Sequence, residues 1–483
     1  MLQALGQVDF GLYGLIGGLT VFLGLINHMM HIGVGRFYAV SVGKIEKSSE
    51  LGLLECQKWF TAGVVIHTVL PIFLIIVGYP LGQYVVECFL NIPQDRIVSC
   101  VWVWRFVCLS CFAGMISVPY HAMYVAKQEI AELTIYSFCT TTLNVLALYY
   151  MVEHPSDWLV KYALWVCLIN VIPQAIIIIR AVFKYDECRF RWKYAYCWQE
   201  AKAMFLYSSW SLIGTIADMF NNQGMNILVN KYFGPNMNSA MSISNSVSGH
   251  CNTLSSSLVS AFWPAIMNAY GAGRLDDMRL MAYRLCKVGT LLVLMFSIPL
   301  SIEIDEVLRL WLKNPPPYTG GICIFIVMGM VFDKIGYGFP VVAQAIGKVA
   351  KYQTVSGIVS LIGLPIALAF AAKGCSVYYV GFAIALTKLF CCVSKVAITY
   401  KDVMMSISFW LKSIILPLFL LSLVAVLFGI MIRDSMQPNL FRIIMTTGAC
   451  ESAMFVMAWL FLFDLTERNY IKNALKRLIN RLR

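Results

Sequence analysis

The chain has 483 residues, of which 59% are hydrophobic and only 13% are charged, about half of the ~25% charged residues of an ordinary soluble domain. A soluble fold cannot bury this much apolar surface, and a disordered chain has the opposite balance. The net charge is +12, but Lys and Arg occur in short clusters between long apolar runs. This excludes a nucleic-acid-binding module, which needs a basic face on a soluble domain.

The apolar runs are continuous and roughly 20 residues or longer, whereas strands of a transmembrane barrel alternate over ~10 residues. They predict an all-α polytopic membrane protein with about thirteen transmembrane helices. The predicted segments, in chain order, span 11–33, 60–79, 97–125, 133–152, 158–180, 203–229, 238–266, 285–302, 322–346, 353–372, 377–399, 409–432 and 441–463.

The connections between these segments differ in positive charge. Connections that follow odd-numbered segments, together with the C-terminal tail, hold 26 of the 37 Lys and Arg residues, whereas connections that follow even-numbered segments hold 8. Positive charge marks the cytoplasmic side of a membrane. The asymmetry therefore predicts that the odd connections and the C-terminus are cytoplasmic and that the N-terminus lies outside.

A weak internal repeat relates the two halves of the chain. Phe10-Gly11 and Phe233-Gly234 stand at the start of the first and seventh segments, and Gly43-Lys44 and Gly273-Arg274 follow those segments. Both segments run from outside to inside, so we expect them to superpose about an axis along the membrane normal and to line a central cavity. A helix precedes the seventh segment, and we expect its counterpart before the first segment to be absent.

Three segments carry polar residues at spacings of three or four, which places these residues on one helix face. The stripe of the seventh segment consists of Ser242, Asn245, Gly249, Asn252, Ser256 and Ser260. The stripe of the sixth consists of Ser211, Thr215, Asp218, Asn222 and Asn226, and that of the first of Gly17, Thr20, Gly24, Asn27 and His31. Polar groups that face lipid are costly, so these faces are expected to line protein or a water-filled cavity. Close packing through small residues is the alternative, and it accounts less well for the amide-rich sixth and seventh segments.

Three charged residues lie deep in predicted helices. Lys388 is eleven residues into its segment, about 16 Å at ~1.5 Å per residue, and Arg105 is about 12 Å deep by the same measure. Such a cation either binds an anionic substrate or pairs with an acid as a strut, and Arg105 can alternatively extend to the interface. Asp218, an isolated acid at depth, can take a proton or a sodium ion, or can balance Lys388.

Asp333 and Lys334 are adjacent in the ninth segment, so their side chains are expected to point in different directions and to need separate partners. A stretch that contains Gly and Pro (336–340) follows and predicts a kinked or broken helix. Arg36 follows the first segment on the inner side, where it is either a cytoplasmic anchor or the mouth of a phosphate pathway.

These residues form the candidate sites. The candidate substrate-binding residues are Lys388, Arg105, Asp218, Asn222, Asn226, Asn245, Asn252 and Arg36, and the candidate coupling residues are Asp218, Asp333 and Lys334. The chain has no Walker A pattern, no GxSxG motif and no cluster at metal-ligand spacing. We therefore expect no catalytic residues, no metal, no cofactor and no ATP-driven transport.

Seven stretches stand out along the chain: DFGLYGLIGG (9–18), SVPYHAMYVAKQE (117–129), ECRFRWKY (187–194), GMNILVNKYFGPNMNSAMSIS (224–244), AYGAGRLDDM (269–278), VLRLWL (307–312) and AIGKVAKYQ (345–353). Together and in this order they resemble bacterial polysaccharide flippases of the Wzx type. This family belongs to a superfamily with the multidrug and toxin extrusion (MATE) transporters and the lipid II flippases. Its members usually have a further helix before the first stretch.

The resemblance implies a MATE-like bundle of two lobes that works by alternating access. The implied cargo is an oligosaccharide linked to polyprenyl diphosphate, moved from the cytoplasmic to the outer leaflet for O-antigen, capsule or exopolysaccharide biosynthesis. The implied location is the bacterial inner membrane, with a cytoplasmic C-terminus. Membrane lipids, the polysaccharide polymerase and the glycosyltransferases of the same pathway are the other implied partners.

This reading predicts five regions. They are an N-terminal lobe (1–183), a cytoplasmic inter-lobe loop (184–202), a C-terminal lobe (203–402), an additional helix pair (403–466) and a basic cytoplasmic tail (467–483). The tail mixes basic and apolar residues, which is typical of an amphipathic helix on the inner membrane surface or of a simple topogenic anchor.

Two other functions compete with this one. A MATE-type cation or drug antiporter favours acids in its cavity, but the deep charge of the first five segments is the cation Arg105. A membrane-embedded glycosyltransferase or polysaccharide polymerase generally needs an exposed acidic motif or a large external loop, and the predicted outer loops are short.

Overall fold

The fold is that of a computed structural model, which describes residues 2–18, 21–90, 92–154, 156–194, 196–312, 314–469, 472–473 and 476. All regular structure in these ranges is helical. The helices are α1 (Leu2–Gly18), α2 (Val21–Lys47), α3 (Ser49–Tyr84), α4 (Ile97–Ala126), α5 (Ile130–Glu153), α6 (Leu159–Lys184), α7 (Trp198–Phe233), α8 (Pro235–Gly271), α9 (Leu275–Ile302), α10 (Ile304–Leu312), α11 (Thr319–Ile335), α12 (Gly338–Ile346), α13 (Ala350–Ala372), α14 (Tyr378–Thr399), α15 (Ile407–Trp410), α16 (Leu416–Ser435) and α17 (Leu440–Met457).

The helices confirm the all-α prediction. The first predicted segment falls on α1 and α2, and the ninth falls on α11 and α12. The twelfth covers α15 and α16, which a π-helical turn joins, and each of the others lies on a single helix or on a helix that a π-helical turn extends. Thr20 of the first polar stripe and most of the predicted basic tail lie outside the described residues.

Within the described ranges, nine helices are long and apolar enough to cross a membrane. The number becomes ten when α11 and α12, which are bent by 45° at their break, count as one span. The long helices α7 and α8, with 36 and 37 residues, are not among them. Both carry the polar stripes that the sequence predicts, and the chain is therefore a multi-pass membrane protein with two unusually polar long helices.

The contacts divide the chain into two compact units. Unit 1 comprises Met1–Leu212 and Met267–Leu275, and unit 2 comprises Ile213–Ile266 and Asp276–Arg483. The divisions fall inside α7, inside α8 and at the start of α9.

In unit 1, helix α4 packs against α1, α2, α3 and α6. Trp104 of α4 is buried, and its indole N–H donates to the Tyr79 carbonyl of α3 at 3.1 Å. The ring lies directly over Gly82, where a Cβ atom would overlap it. A large aromatic ring opposite a glycine brings α3 and α4 close together along the buried face.

Unit 1 also contains the ends of α2 and α8, which carry the repeated motifs. A Cβ at Gly43 would overlap the Asn268 backbone, and a Cβ at Gly271 would overlap the Val40 carbonyl. Arg274 then pairs with Glu46, with 2.8 Å between Nη2 and Oε2. The close approach of the two backbones is the physical reason for glycine here, whereas the superposition of the two helices about a membrane-normal axis stays a prediction.

In unit 2, helix α14 packs against both α11 and α13. Small residues such as Ala367 and Ala383 are fully buried beside Met225 and Val229 of α7. The small side chains let these helices approach closely, as is common where membrane helices pack.

Two buried ion pairs connect α9 and the residue after it to the C-terminal helix pair. Just after the end of α9, Glu303 is 2% exposed and accepts from Arg442 Nη2 of α17 at 2.7 Å and from Thr446 Oγ1 at 2.9 Å. In the middle of α9, Lys287 Nζ donates to Glu467, which follows α17, at 2.8 Å, and Arg284 Nε donates to the same carboxylate at 3.2 Å. These contacts hold the C-terminal helix pair against the rest of unit 2.

We expect the Arg442→Met substitution to lower the free energy of unfolding by about 3–5 kcal/mol, because it leaves the Glu303 carboxylate buried without its cation. Adding Glu303→Gln should recover most of the loss. The matched control is Arg433→Met, which removes an exposed arginine of α16. Denaturant unfolding in detergent compares the wild type with the three variants. Equal stability of Arg442→Met and the wild type would show that the Glu303–Arg442 ion pair does not stabilise the fold.

Candidate substrate-binding and coupling site

The predicted cation Lys388 lies in the middle of α14, ten residues after the helix begins at Tyr378, or about 15 Å at ~1.5 Å per residue. Its Nζ is 3.4 Å from Oδ1 of Asp218 on α7. Ser360 of α13 donates its hydroxyl to the same carboxylate oxygen at 2.7 Å. Three helices of unit 2 thus meet at one acid, which in this structure balances Lys388.

The Lys388–Asp218 pair is only partly covered. The side chain of Lys388 is 29% exposed and that of Asp218 is 49% exposed. Gly329 of α11 faces the aliphatic part of Lys388, where its missing side chain leaves room for the lysine. A ligand can therefore reach this pair without unfolding the helices around it.

A second lysine extends the charged region along α14. Lys395 lies seven residues after Lys388, two helical turns further along nearly the same face. Its Nζ is 3.3 Å from Oδ1 of Asp333 on α11. Lys395 was not among the candidate residues predicted from the sequence, although its seven-residue spacing from Lys388 is a usable signal.

The predicted coupling residues Asp333 and Lys334 do not have fully separate ionic partners. Asp333 has its own partner in Lys395, as expected, but Lys334 Nζ also stays 3.9 Å from Asp333 Oδ2. Lys334 is buried and lies over the Tyr337 ring, 4.9 Å from its centroid. The expectation of two separate ionic partners is therefore wrong for Lys334, since a long lysine side chain can fold back to its neighbour.

The described part of this cluster, which we call the α14 charge cluster, contains the lysines Lys334, Lys388 and Lys395 and the aspartates Asp218 and Asp333. Three positive charges face two negative ones, so one positive charge is in excess. An excess charge inside an apolar helical unit is costly unless water or an anion balances it.

The predicted helix break lies next to this cluster. Helix α11 ends at Ile335 and α12 begins at Gly338. The Ile335 carbonyl accepts from Trp410 Nε1 at 2.8 Å, and the Gly338 N–H donates to Cys286 Sγ at 3.1 Å. Side chains from neighbouring helices thus satisfy backbone groups that the break frees, as a membrane interior requires.

All six residues of the predicted α8 stripe are exposed on unit 2, including Asn245 and Asn252. The opposite side of α8 is buried through Ala240, Met241 and Ser244. Ser256 donates its hydroxyl to the Asn252 carbonyl at 2.8 Å, and Ser260 donates to the Ser256 carbonyl at 2.9 Å. Among the described residues, the side-chain amides of Asn245 and Asn252 make no such bond, so this face of α8 offers hydrogen-bonding groups to a ligand or to water.

On α7, the predicted residues differ in environment. Asn222 is exposed, whereas Asn226 is half-buried and its Oδ1 has no hydrogen-bond partner among the described residues. The same is true of Oδ1 of Asn221, which is 2% exposed. Sequence reasoning missed Asn221 because it lies off the polar stripe.

The predicted cations of unit 1 lie on aromatic rings. Arg105 Nε donates to the Tyr79 hydroxyl at 3.2 Å, and the guanidinium lies 4.6 Å from the Trp102 ring centroid. Arg36 lies 4.6 Å from the Phe37 ring centroid and 5.2 Å from that of Tyr207. Cation–π contacts stabilise a desolvated guanidinium without neutralising it. That Arg105 and Arg36 share one site with the α14 charge cluster stays a prediction.

The bundle of long apolar helices has the fold of known membrane transporters. It is similar to a MOP superfamily transporter from Pyrococcus furiosus, with 12% identity, a TM-score of 0.64 and coverage of 83% of this chain and 94% of that chain. It is also similar to a point mutant of a MATE transporter (14% identity, TM-score 0.68, coverage 83% and 89%) and to the MATE transporter VcmN from Vibrio cholerae in its bent form (13%, 0.64, 83% and 94%).

The sequence profile of the family described as polysaccharide biosynthesis protein matches residues 5–312. The chain therefore belongs to this family, which confirms the resemblance drawn from the sequence stretches. A comparison with curated protein sequences finds no match. Family and fold together define a multi-pass membrane protein of the polysaccharide biosynthesis family with a MATE-like fold.

We expect Gly338→Ala to lower the free energy of unfolding by about 1–3 kcal/mol, because the added Cβ would overlap the Ala282 carbonyl of α9. The control is Gly448→Ala in α17, where a Cβ meets nothing within 4 Å and where stability should stay the same or rise by about 0.5–1 kcal/mol. Thermal unfolding in detergent compares the two variants. If Gly338→Ala proved as stable relative to the wild type as Gly448→Ala, the break would not be tightly packed.

Proposed function

We propose that this protein flips an oligosaccharide linked to polyprenyl diphosphate from the cytoplasmic to the outer leaflet, for the synthesis of a surface polysaccharide. The observation that carries the proposal is the excess positive charge of the α14 charge cluster, half-way along a membrane helix. A diphosphate is the part of the cargo that needs a cation at this depth, and charge-assisted hydrogen bonds to phosphate are strong.

The polar face of α8 supports the same cargo. Sugars are recognised through hydrogen bonds, and Asn245 and Asn252 are exposed amides that can both donate and accept. A polar helix face would be costly against lipid, so it suits a wet path for the sugars. The polyprenyl tail stays in the bilayer, and the cavity opens sideways to it.

In the proposed cycle, the lobes 1–183 and 203–402 alternate access to the two leaflets. Asp218 holds Lys388 in the empty protein, and the diphosphate takes its place when cargo binds. Asp333 and Lys334 at the end of α11 are the proposed coupling residues. The protein works in the bacterial inner membrane, next to the glycosyltransferases and the polymerase that make and consume its cargo, and it performs no chemistry on the cargo itself.

A cation antiporter fits the site less well. Asp218 and Asp333 are its deep acids, and both are engaged by lysines, at 3.4 and 3.3 Å. A cationic drug would have to displace an ammonium group from either carboxylate and would add to an existing positive excess. The same excess favours an anionic cargo.

We expect Lys388→Gln to lower flipping roughly tenfold or more, because a hydrogen bond to a charged group contributes about 1.5–3 kcal/mol. Lys388→Glu should abolish flipping, since it places a second carboxylate beside Asp218. The measurement uses vesicles that contain the purified protein and lipid-linked oligosaccharide, in which an impermeant periodate reagent oxidises only the sugars of the outer leaflet.

The matched control is Lys373→Gln, which removes an exposed lysine just after α13. It should flip cargo at the wild-type rate. Full activity of both Lys388 variants would make Lys388 a structural residue and would remove the substrate site. A wild-type protein that moves no lipid-linked oligosaccharide at all would overturn the proposed function itself.

The orientation has its own test, which rests on the 26-to-8 distribution of Lys and Arg between alternate connections. A fluorescent protein fused to the C-terminus should fluoresce in the cytoplasm, and alkaline phosphatase fused there should be inactive. An active phosphatase would reverse the proposed topology. Fusions after α13, which leave the C-terminus in the connection of opposite predicted side, provide the internal control.

A further inference from the structure

An apolar groove of about 520 Å³ lies in unit 1, between one side of α3 and the segment that leads into α7. Helix α3 lines it from Ala62 to Phe73, and Tyr196 and Trp198 form the opposite wall. Tyr196 is 96% exposed and Trp198 is 75% exposed. Because most of each ring is exposed and not packed against other side chains, the groove is an open concave surface.

The groove has the length of one leaflet. From Ala62 to Phe73 there are eleven residues, which span about 16 Å at ~1.5 Å per residue, or about half of a ~30 Å hydrocarbon core. The Lys58–Tyr194 contact and the Arg191–Thr61 hydrogen bond bring the chain just before Tyr196 to the Ala62 end of the groove. Rings such as those of Tyr196 and Trp198 prefer the level of the lipid headgroups. The other end, at Phe73, then reaches the middle of the bilayer.

Cations gather at the headgroup end. Lys58 lies one helical turn before Ala62, and its Nζ is 5.5 Å from the centroid of the Tyr194 ring. The Arg191 backbone N–H donates to Thr61 Oγ1 at 3.3 Å, which fixes the loop to α3 at this level. The Arg191 and Lys193 side chains are exposed.

The acids of the same loop do not cancel these charges. Asp186 pairs with Arg189 at 2.6 Å, and Glu187 pairs with Lys127 at 2.5 Å. Glu55 of α3 pairs with Lys44 at 2.6 Å. Lys58, Arg191 and Lys193 outnumber Glu200, an acid on the first turn of α7. The end of the groove can therefore hold more than one negative charge.

We propose that this groove is a docking site for the polyprenyl diphosphate cargo in the leaflet that the inter-lobe loop faces, before the cargo enters the transport path. The tail lies along α3 from Ala62 to Phe73, and the diphosphate meets the cations at the Tyr196–Trp198 end. This assignment rests on the proposed function for the identity of the cargo. A diphosphate carries more negative charge than a phospholipid with one phosphate, and it matches the multiple cations at this end.

The test uses the full-length protein in nanodiscs and a polyprenyl diphosphate that carries a benzophenone on an isoprene unit near the diphosphate, within the length of the groove. Irradiation should label α3 between Ala62 and Phe73, as mapped by mass spectrometry. Unlabelled polyprenyl diphosphate should suppress the label, and phosphatidylglycerol in excess should not. Each of Lys58→Gln, Arg191→Gln and Lys193→Gln should weaken binding roughly fivefold, as expected for one cation near an anionic lipid surface.

Filling the groove gives an independent variant. Ile66→Trp should reduce labelling at least tenfold, whereas Leu146→Trp, a matched change on the exposed face of α5, should leave labelling unchanged. Labelling outside the groove, or labelling that Ile66→Trp and the charge variants do not reduce, would overturn the proposal. Equal competition by phosphatidylglycerol would also overturn it, because the groove would then hold bulk lipid.

The flipping assay separates this proposal from the proposed function. If the wild type flips cargo and the groove variants flip it equally well at low cargo concentration, the groove is not a docking site and the function stands. If the wild type flips no cargo but the groove still binds the polyprenyl diphosphate specifically, the function fails and the groove stands.

Discussion

A charge inside an apolar helix has to be paired, hydrated or held on a polarisable group, and the whole chain depends on how this constraint is met. Unit 2 meets it with ion pairs. Glu303, just after α9, is buried against Arg442 near the start of α17, and Lys287, in the middle of α9, is buried against Glu467 beyond the end of α17. Removing one member of such a pair leaves the other charged and without water. This costs far more free energy of folding than replacing both members by apolar residues.

The α14 charge cluster also pairs its charges, but its three lysines outnumber its two aspartates. Asp218 connects α14 to α7, and Asp333 connects α14 to the end of α11. In the proposed cycle, a diphosphate that takes Lys388 from Asp218 releases the first connection while the second one stays. Lys395 and Asp333 lie next to the break between α11 and α12. In the proposed cycle, cargo binding therefore changes the helix geometry at this break.

Unit 1 meets the constraint differently, because its deep arginines lie on aromatic rings. Arg105 lies on Trp102 and bonds Tyr79, and Arg36 lies on Phe37 and Tyr207. A ring lowers the energy of a guanidinium without cancelling its charge. The proposed docking groove on α3 adds exposed cations beside an apolar surface about as long as one leaflet.

The sequence by itself determined the membrane class, the helix positions, the polar faces of α7 and α8 and the break after Lys334, because hydropathy, helical period and Gly–Pro content are local properties. It also pointed to the family through stretches in a fixed order. Tertiary structure alone decided which charges meet: that Lys388 pairs with Asp218, that Lys395 rather than Lys334 is the main partner of Asp333, and that Asn221 is buried. Ion pairs join helices far apart in the chain, and a helical period says which face a residue occupies but not which helix lies opposite that face.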